Sequence, residues 1–284
     1  MDKEKIEKYN EQVLNLISNY LNFNERAITK EQVESVKSYG VDEVEAVRLL
    51  LLGYLGVENR EFENEYFLEM LTLLNEKEFK ENPYYKNIKF KKQTLGNWEL
   101  KNEMYEPYEL FVQDDFILKN CKVIPNLGFF NKTFSYPAVF ENGRLWMSVT
   151  PNEINTMKEP IENANGKVLT FGLGLGYFAY MCSLKERVAS VTIIEKDEKV
   201  IELFKKFILP KFEHKEKIRI VKNDAYEFLK NMEDGEFDFS FVDIYHDAGD
   251  GMECYFNFKP YLANFNKTKF NFWIEKTIKY YTGD

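Results

Sequence analysis

The spacing of hydrophobic residues changes twice along this chain and divides it into three segments. Over residues 1–82, apolar side chains recur every three or four positions, which is the period of an amphipathic helix. Thr29 and Gln32 have the spacing of a capping box at the start of the second of these helices. The pattern predicts an N-terminal helical region with four helices, the last of them over residues 60–77.

Between residues 83 and 150 the pattern favours strands, because aromatic and β-branched runs alternate with turn residues. The pair Asn142-Gly143, which is preferred in two-residue hairpin turns, separates apolar runs at 137–140 and 145–149. This segment is therefore predicted to form a small antiparallel β layer.

The third segment, residues 151–284, alternates short apolar strands with helices of about ten residues. Strands are expected at 167–171, 190–194, 218–221, 237–242 and 270–274. This alternation is typical of βαβ units with right-handed crossovers. We predict an α/β, Rossmann-like doubly wound domain with a mainly parallel sheet, in which ligands bind beyond the carboxyl ends of the strands.

A glycine-rich turn follows the first of these strands, with the sequence Gly172-Leu173-Gly174-Leu175-Gly176-Tyr177. Glycine allows a tight turn and lets a ligand approach the backbone closely. The free N–H groups at the start of the next helix can face a polar or charged ligand. The alternative is an ordinary turn between a strand and a helix.

Acidic residues follow the second and third strands. Glu195 can accept hydrogen bonds from both hydroxyls of a ribose. Asp224 can accept a hydrogen bond from an adenine amino group, and the N–H of Ala225 could then face a ring nitrogen. Each acid could instead belong only to the start of the following helix, where such residues are common caps.

The loop after the fourth strand concentrates polar residues at the same edge of the sheet. Asp243, Tyr245 and His246 are the catalytic candidates, and Asp247 and Asp250 follow closely. Such a cluster can supply a general base or hold a cationic substrate. The alternative is a polar loop that caps the next helix.

Taken together, the four strand ends resemble the motifs of the class I S-adenosylmethionine-dependent methyltransferase superfamily. The resemblance covers about residues 150 to 275 and implies S-adenosylmethionine as the cofactor. It also implies that the substrate side comes mainly from residues 1 to 160, with the β layer of residues 83–150 on that side. The residues that it implies for cofactor binding are Gly172, Leu173, Gly174, Gly176, Tyr177, Glu195, Asp224, Ala225 and Asp243.

Three further segments are similar to the spermidine-synthase branch of that superfamily: Met147 to Glu153, Glu195 to Ile201 and Asn223 to Leu229. In that branch the acid after the fourth strand deprotonates the amine substrate, and Asp243 would hold that place. The branch's GGGDGG loop and DxxDP motif are not kept, since leucines interrupt the loop and His246 follows Asp243 after three residues.

Four functions follow as hypotheses. The main one is methyl transfer to a small polar or amine acceptor, with Asp243 or His246 accepting the proton. The alternatives are aminopropyl transfer from a decarboxylated donor, and a non-catalytic nucleotide-binding domain. A nicotinamide dehydrogenase is the fourth, because residues 174–179 match GxGxxA, although that match begins two residues late relative to the strand.

The charge, the cysteine content and the apolar runs of the chain limit the kinds of partner that we expect. The formal net charge is −9 and the pI is about 5.1, which argues against binding to a nucleic-acid backbone. Three dispersed cysteines without a CxxC pair argue against a structural zinc site or a disulfide framework, so no metal is predicted. The charged N-terminus and the lack of a long apolar run predict a cytoplasmic protein without a membrane partner. A small-molecule substrate is expected, and a homodimer is left open.

Overall fold

The computed structural model describes residues 2–283, and the chain divides into two compact units. The first comprises Met1–Phe79 and Glu103–Tyr136, and the second comprises Lys80–Asn102 and Pro137–Asp284. This division by contacts differs from the three segments 1–82, 83–150 and 151–284 read from the sequence, because the strand-rich segment contributes to two separate cores. The hydrophobic spacing of a strand does not reveal which of two cores it joins.

Four helices, a short strand and a further short helix occupy the first 80 residues. They are α1 (Lys3–Phe23), α2 (Lys30–Lys37), α3 (Glu43–Leu55), α4 (Arg60–Tyr66), β1 (Leu71–Leu73) and α5 (Glu76–Lys80). The capping box is confirmed: the Thr29 hydroxyl accepts from the N–H of Gln32, whose side chain accepts from the N–H of Thr29.

A short helix and eight strands follow. They are α6 (Pro83–Asn87), β2 (Gln93–Leu95), β3 (Trp98–Tyr105), β4 (Phe111–Val112), β5 (Ile117–Lys119), β6 (Lys122–Ile124), β7 (Leu127–Phe129), β8 (Phe134–Glu141) and β9 (Arg144–Ser148). Strands β8 and β9 form the predicted antiparallel hairpin, and Asn142 and Gly143 both have positive φ angles in its turn.

The predicted helix over residues 60–77 is wrong beyond Tyr66. Strand β1 pairs in parallel with β7, and Leu71 and Met70 are buried in the core of the first unit. The apolar residues of this stretch fit a helical spacing, but pairing with a strand more than 50 residues away along the chain decides their conformation.

The remaining elements alternate between helix and strand. They are α7 (Pro151–Thr156), α8 (Lys158–Asn163), β10 (Gly166–Phe171), α9 (Tyr177–Ser183), β11 (Val188–Glu195), α10 (Glu198–Phe207), β12 (Ile218–Lys222), α11 (Ala225–Asn231), β13 (Phe239–Val242), α12 (Ala248–Leu262), β14 (Lys269–Phe272) and α13 (Glu275–Thr282). Two short 3₁₀ turns, Leu209–Lys211 and Lys215–Lys217, connect α10 to β12.

Five of these strands form one parallel sheet in the order β12-β11-β10-β13-β14, which confirms the predicted α/β fold with a parallel sheet. Phe171 at the end of β10 is in register with Ile194 on one side and with Val242 on the other. Because the strands end at the same level, the residues that follow them meet at one edge.

Within residues 2–283, none of the helices combines the length and the apolar content that a membrane span requires.

Candidate active site

A cleft of about 600 Å³ lies at the carboxyl ends of the parallel strands. It is lined by the turn after β10, by the ends of β11, β12 and β13, and by parts of β9, α7 and α12. The predicted site residues that line it are Gly172, Leu173, Gly174, Glu195, Asp224, Ala225, Asp243, Tyr245 and His246. The sequence-based selection therefore converges on one cleft, and the individual roles of these residues remain predictions.

Gly172 and Gly176 allow two close approaches of the backbone. A Cβ atom at Gly172, which has a φ of +97°, would lie 1.9 Å from the carbonyl oxygen of Asp243. At Gly176, where φ is +73°, a Cβ atom would lie 2.4 Å from the ring of Phe204. The close approach at Gly172 brings the end of β10 against the end of β13. The one at Gly176 lets the start of α9 pack against α10.

Gly174 is covered by a flexible side chain rather than by backbone. A Cβ atom there would lie 2.4 Å from the Sδ and Cε atoms of Met147, which belongs to β9 and lines the same cleft. The methionine side chain can move aside for a ligand, because its three side-chain torsions rotate freely compared with a branched side chain. The turn after β10 is thus a cradle with a movable cover.

Glu195 fixes the glycine turn to the end of β11. Its Oε2 atom accepts from the N–H of Leu173 at 3.2 Å, and its Oε1 atom accepts from the N–H of Asp197 at 2.8 Å. Each carboxylate oxygen can accept a second hydrogen bond. The carboxylate is therefore held in place and can still accept the two hydroxyls of a ribose.

Asp224 caps α11, as the structural alternative predicted. Its Oδ1 atom accepts from the N–H groups of Tyr226 and Glu227, at 2.9 and 3.1 Å. Both bonds end on the same oxygen, so Oδ2 can accept from an exocyclic amine in the cleft. Ala225 is buried beside it and also lines the cleft.

Asp243 and Glu153 form a pair of partly buried carboxyls. Both line the cleft and a small cavity of about 20 Å³ that adjoins it. Burial raises the pKa of Asp243 to about 7. Burial first, and then the charge of Asp243, raises the pKa of Glu153 well above its ordinary value. Ionisation of one carboxyl therefore opposes ionisation of the other at neutral pH.

The structure separates the roles of Tyr245 and His246. The Tyr245 ring packs against Trp273, and its hydroxyl donates to the Trp273 carbonyl, so the hydroxyl is held by the protein itself. His246 is exposed, with Nδ1 3.5 Å from Asp250 and its ring 5.1 Å from that of Trp146. Of the two, His246 is the better placed to meet a substrate.

Tyr177 lies behind the glycine turn and lines the small cavity together with Gly176. Its hydroxyl accepts from the side-chain amide of Asn82 at 3.0 Å, and its ring meets that of Tyr84 edge-on. Burial raises the pKa of Tyr177 to about 12, so it stays protonated at neutral pH. These contacts favour a supporting role for this side chain.

The sequence-based selection omitted several lining residues, of which Glu153 is the most consequential. It is the third residue of α7, where an acid is usually interpreted as part of the helix cap. The preceding Thr150 makes no side-chain cap bond, so no capping box forms. Trp146 of β9 and Cys254 of α12 are further lining residues, and neither carries a local motif that would have identified it.

Comparison with known proteins gives a family match for part of the second unit. Residues 156–270 match the spermine/spermidine synthase domain family. The predicted resemblance to the spermidine-synthase branch, whose members share the class I methyltransferase-like fold, is confirmed for this segment.

The individual relatives are distant or partial matches. An uncharacterized protein of Methanocaldococcus jannaschii is 32% identical over 142 residues, which is 47% of either chain. Spermidine synthase from Thermotoga maritima has a TM-score of 0.34 and 16% identity, over 52% of this chain and 56% of that one. A spermidine synthase in complex with the transition-state analogue AdoDATO has the same TM-score and identity, over 52% of this chain and 59% of that one. The chain thus spans about half the length of the relatives that it matches.

Proposed function

We propose that this protein is an aminopropyltransferase-like enzyme, which transfers the aminopropyl group of decarboxylated S-adenosylmethionine to an amine acceptor. The match of residues 156–270 to the spermine/spermidine synthase domain supports a transferase of this kind. The strand order with β10 at the centre supports a Rossmann-like layout, in which the glycine turn, Glu195 and Asp224 would hold the adenosine.

The charge of the cleft is the observation that carries this proposal. Six carboxyl-bearing residues line it: Glu153, Glu195, Asp224, Asp243, Asp250 and Glu253. Among the described lining residues, Lys196 is the one with a permanent positive charge, and it directly follows Glu195 in the chain. An acidic cleft favours a donor and an acceptor that carry ammonium groups, and it disfavours the extra carboxylate of S-adenosylmethionine.

Asp243 is the residue that we assign as the base. When bound, the donor supplies an electrophilic carbon attached to a sulfonium. An amine attacks only as the free base, so the acceptor's ammonium proton must first be removed. A carboxyl with a pKa near 7 is matched to that task, whereas an ordinary aspartate is a weak base at neutral pH. Asp250 and Glu253, which are exposed on α12, would attract the acceptor.

Methyl transfer, the main hypothesis from the sequence, remains as the second candidate. The observation that favours it is the glycine turn, in which the acid of the GGGDGG loop of the spermidine-synthase branch is not kept and Leu173 and Leu175 are both buried. Both candidates use the same adenosine contacts and the same base. They differ in the group transferred, which makes them easy to separate by experiment.

Product mass after incubation tests the proposal. The purified protein is incubated with a panel of diamines and monoamines, once with S-adenosylmethionine and once with its decarboxylated form. Products that gain an aminopropyl group, and only with the decarboxylated donor, are expected. Products that gain a methyl group would establish the second candidate. A protein that binds donor without forming either product would contradict both and point to the non-catalytic hypothesis.

A further inference from the structure

We infer that Glu153 is the donor-selecting residue of this cleft: its carboxylate binds the ammonium of the transferred arm and excludes a donor that also carries a carboxylate there. The inference rests on the proposed function and deepens it, because it assigns donor choice to a residue outside the glycine turn.

The first step in the argument is position. Glu195 and Asp224, the residues suited to ribose and adenine, line the cleft but not the small adjoining cavity. Glu153 and Asp243 line both, as does Gly172 of the glycine turn. A donor whose adenosine lies at Glu195 and Asp224 therefore extends its sulfonium arm across the glycine turn toward the two carboxyls.

The second step is the state of the Glu153 side chain. Across residues 2–283, its carboxyl takes part in no hydrogen bond or ion pair, and the helix α7 does not use it as a cap. A partly buried carboxyl without a partner is costly unless a cation or a proton neutralises it. Because a nearby positive charge favours the ionised form, an arriving ammonium would displace the proton from the pair and form an ion pair.

The third step is the exclusion of other residues. Leu173 and Leu175 in the glycine turn are apolar, and Asp243 is needed to accept the acceptor's proton. Asp250 and Glu253 are exposed on α12, where water weakens their pairing with a cation. Glu153 is the remaining carboxyl at this end of the cleft. A donor carboxylate here would place a third acid beside two that already repel each other.

Calorimetric titration of three ligands tests the inference. The ligands are decarboxylated S-adenosylmethionine, S-adenosylmethionine and 5′-methylthioadenosine, which has the adenosine but no charged arm. The proteins are the wild type, Glu153→Gln, and Glu186→Gln as a matched control at an exposed position. Glutamine keeps the shape of the protonated carboxyl and removes its charge.

The wild type and Glu186→Gln should both prefer the decarboxylated donor. Glu153→Gln should bind that donor roughly ten- to a hundredfold more weakly, as expected for loss of a charged hydrogen bond. It should bind S-adenosylmethionine no worse than before, so the preference falls. Unchanged affinity for 5′-methylthioadenosine would show that the cleft is intact.

The outcomes separate the two proposals. If Glu153→Gln keeps the wild-type preference for the decarboxylated donor, the role of Glu153 is refuted while the proposed function stands. If the wild type itself prefers S-adenosylmethionine or binds neither donor, the proposed function fails and the role of Glu153 fails with it.

Discussion

Asp243 should lower the stability of the folded protein at neutral pH, and Asp243→Asn should therefore stabilise it. The pKa of this carboxyl rises from an ordinary 3.8 to about 7 on folding. The folded state thus holds the proton more tightly than the unfolded state, and stability falls as the pH rises from about 4 to about 7. A shift of roughly three pKa units corresponds to at most about 4 kcal/mol, since each unit is worth about 1.4 kcal/mol. Asparagine resembles the neutral carboxyl and does not ionise.

Urea denaturation at about pH 5 and about pH 8 measures this effect. The gain in unfolding free energy of Asp243→Asn over the wild type should be larger at the higher pH, by about 2–3 kcal/mol. The neighbours Tyr177 and Cys254, from α9 and α12, have pKa values raised by burial to about 12, so neither titrates in this range. Glu153 titrates with Asp243 as a pair, and its proton is part of the measured change.

The Glu253→Gln variant, at an exposed position of the following helix α12, is the matched control and should not show this gain at either pH. A gain in unfolding free energy for Asp243→Asn that is equal at both pH values, or no gain at all, would refute the claim that burial disfavours the ionised form of Asp243. The same variant should lose transferase activity, since it cannot accept a proton.

Three further variants test the cradle and the adenosine contacts. Gly172→Ala should destabilise the fold by about 1–3 kcal/mol in urea denaturation, because its Cβ would meet the carbonyl of Asp243 at a φ of +97°; wild-type stability would show that this approach is not tight. Glu195→Ala should weaken binding of 5′-methylthioadenosine by roughly 1–3 kcal/mol in calorimetry, and an unchanged affinity would leave Glu195 as a support of the turn. Gly174→Val should abolish that binding at a temperature where the variant is still folded, because its side chain would occupy the place of Met147 over the cradle; its unfolding temperature should fall, since a β-branched residue is strained at a φ of +48°; retained affinity would remove the turn from the site.

The convergence of the site could be predicted from sequence because the evidence for it is local. Gly172 and Asp243 directly follow strands β10 and β13, Glu195 ends β11, and Asp224 lies two residues after β12. Parallel strands place their carboxyl ends at one edge of the sheet. The helix cap at Thr29 could be predicted for the same reason, because its partner Gln32 is only three residues away in the chain. Neither inference depended on distant contacts.

The rest depends on contacts between distant parts of the chain. Leu71 to Leu73 fits a helix by spacing and becomes a strand because β7 supplies its partner. The hydroxyl of Tyr245 is engaged by a carbonyl 28 residues further along the chain. Glu153 has a helix-cap position, and only the fold brings it beside Asp243 and shields both from water. The desolvation of these two carboxyls results from tertiary packing, so no local sequence pattern predicts it.

A crystal structure with 5′-methylthioadenosine would test the central claim most directly, because that ligand has only the part of the donor that Glu195 and Asp224 would recognise. We predict the ribose hydroxyls on the Glu195 carboxylate, the adenine amino group at Asp224, and the methylthio end pointing toward Glu153 and Asp243. Adenosine bound elsewhere, or bound in the cleft with its sulfur directed away from the two carboxyls, would contradict the account.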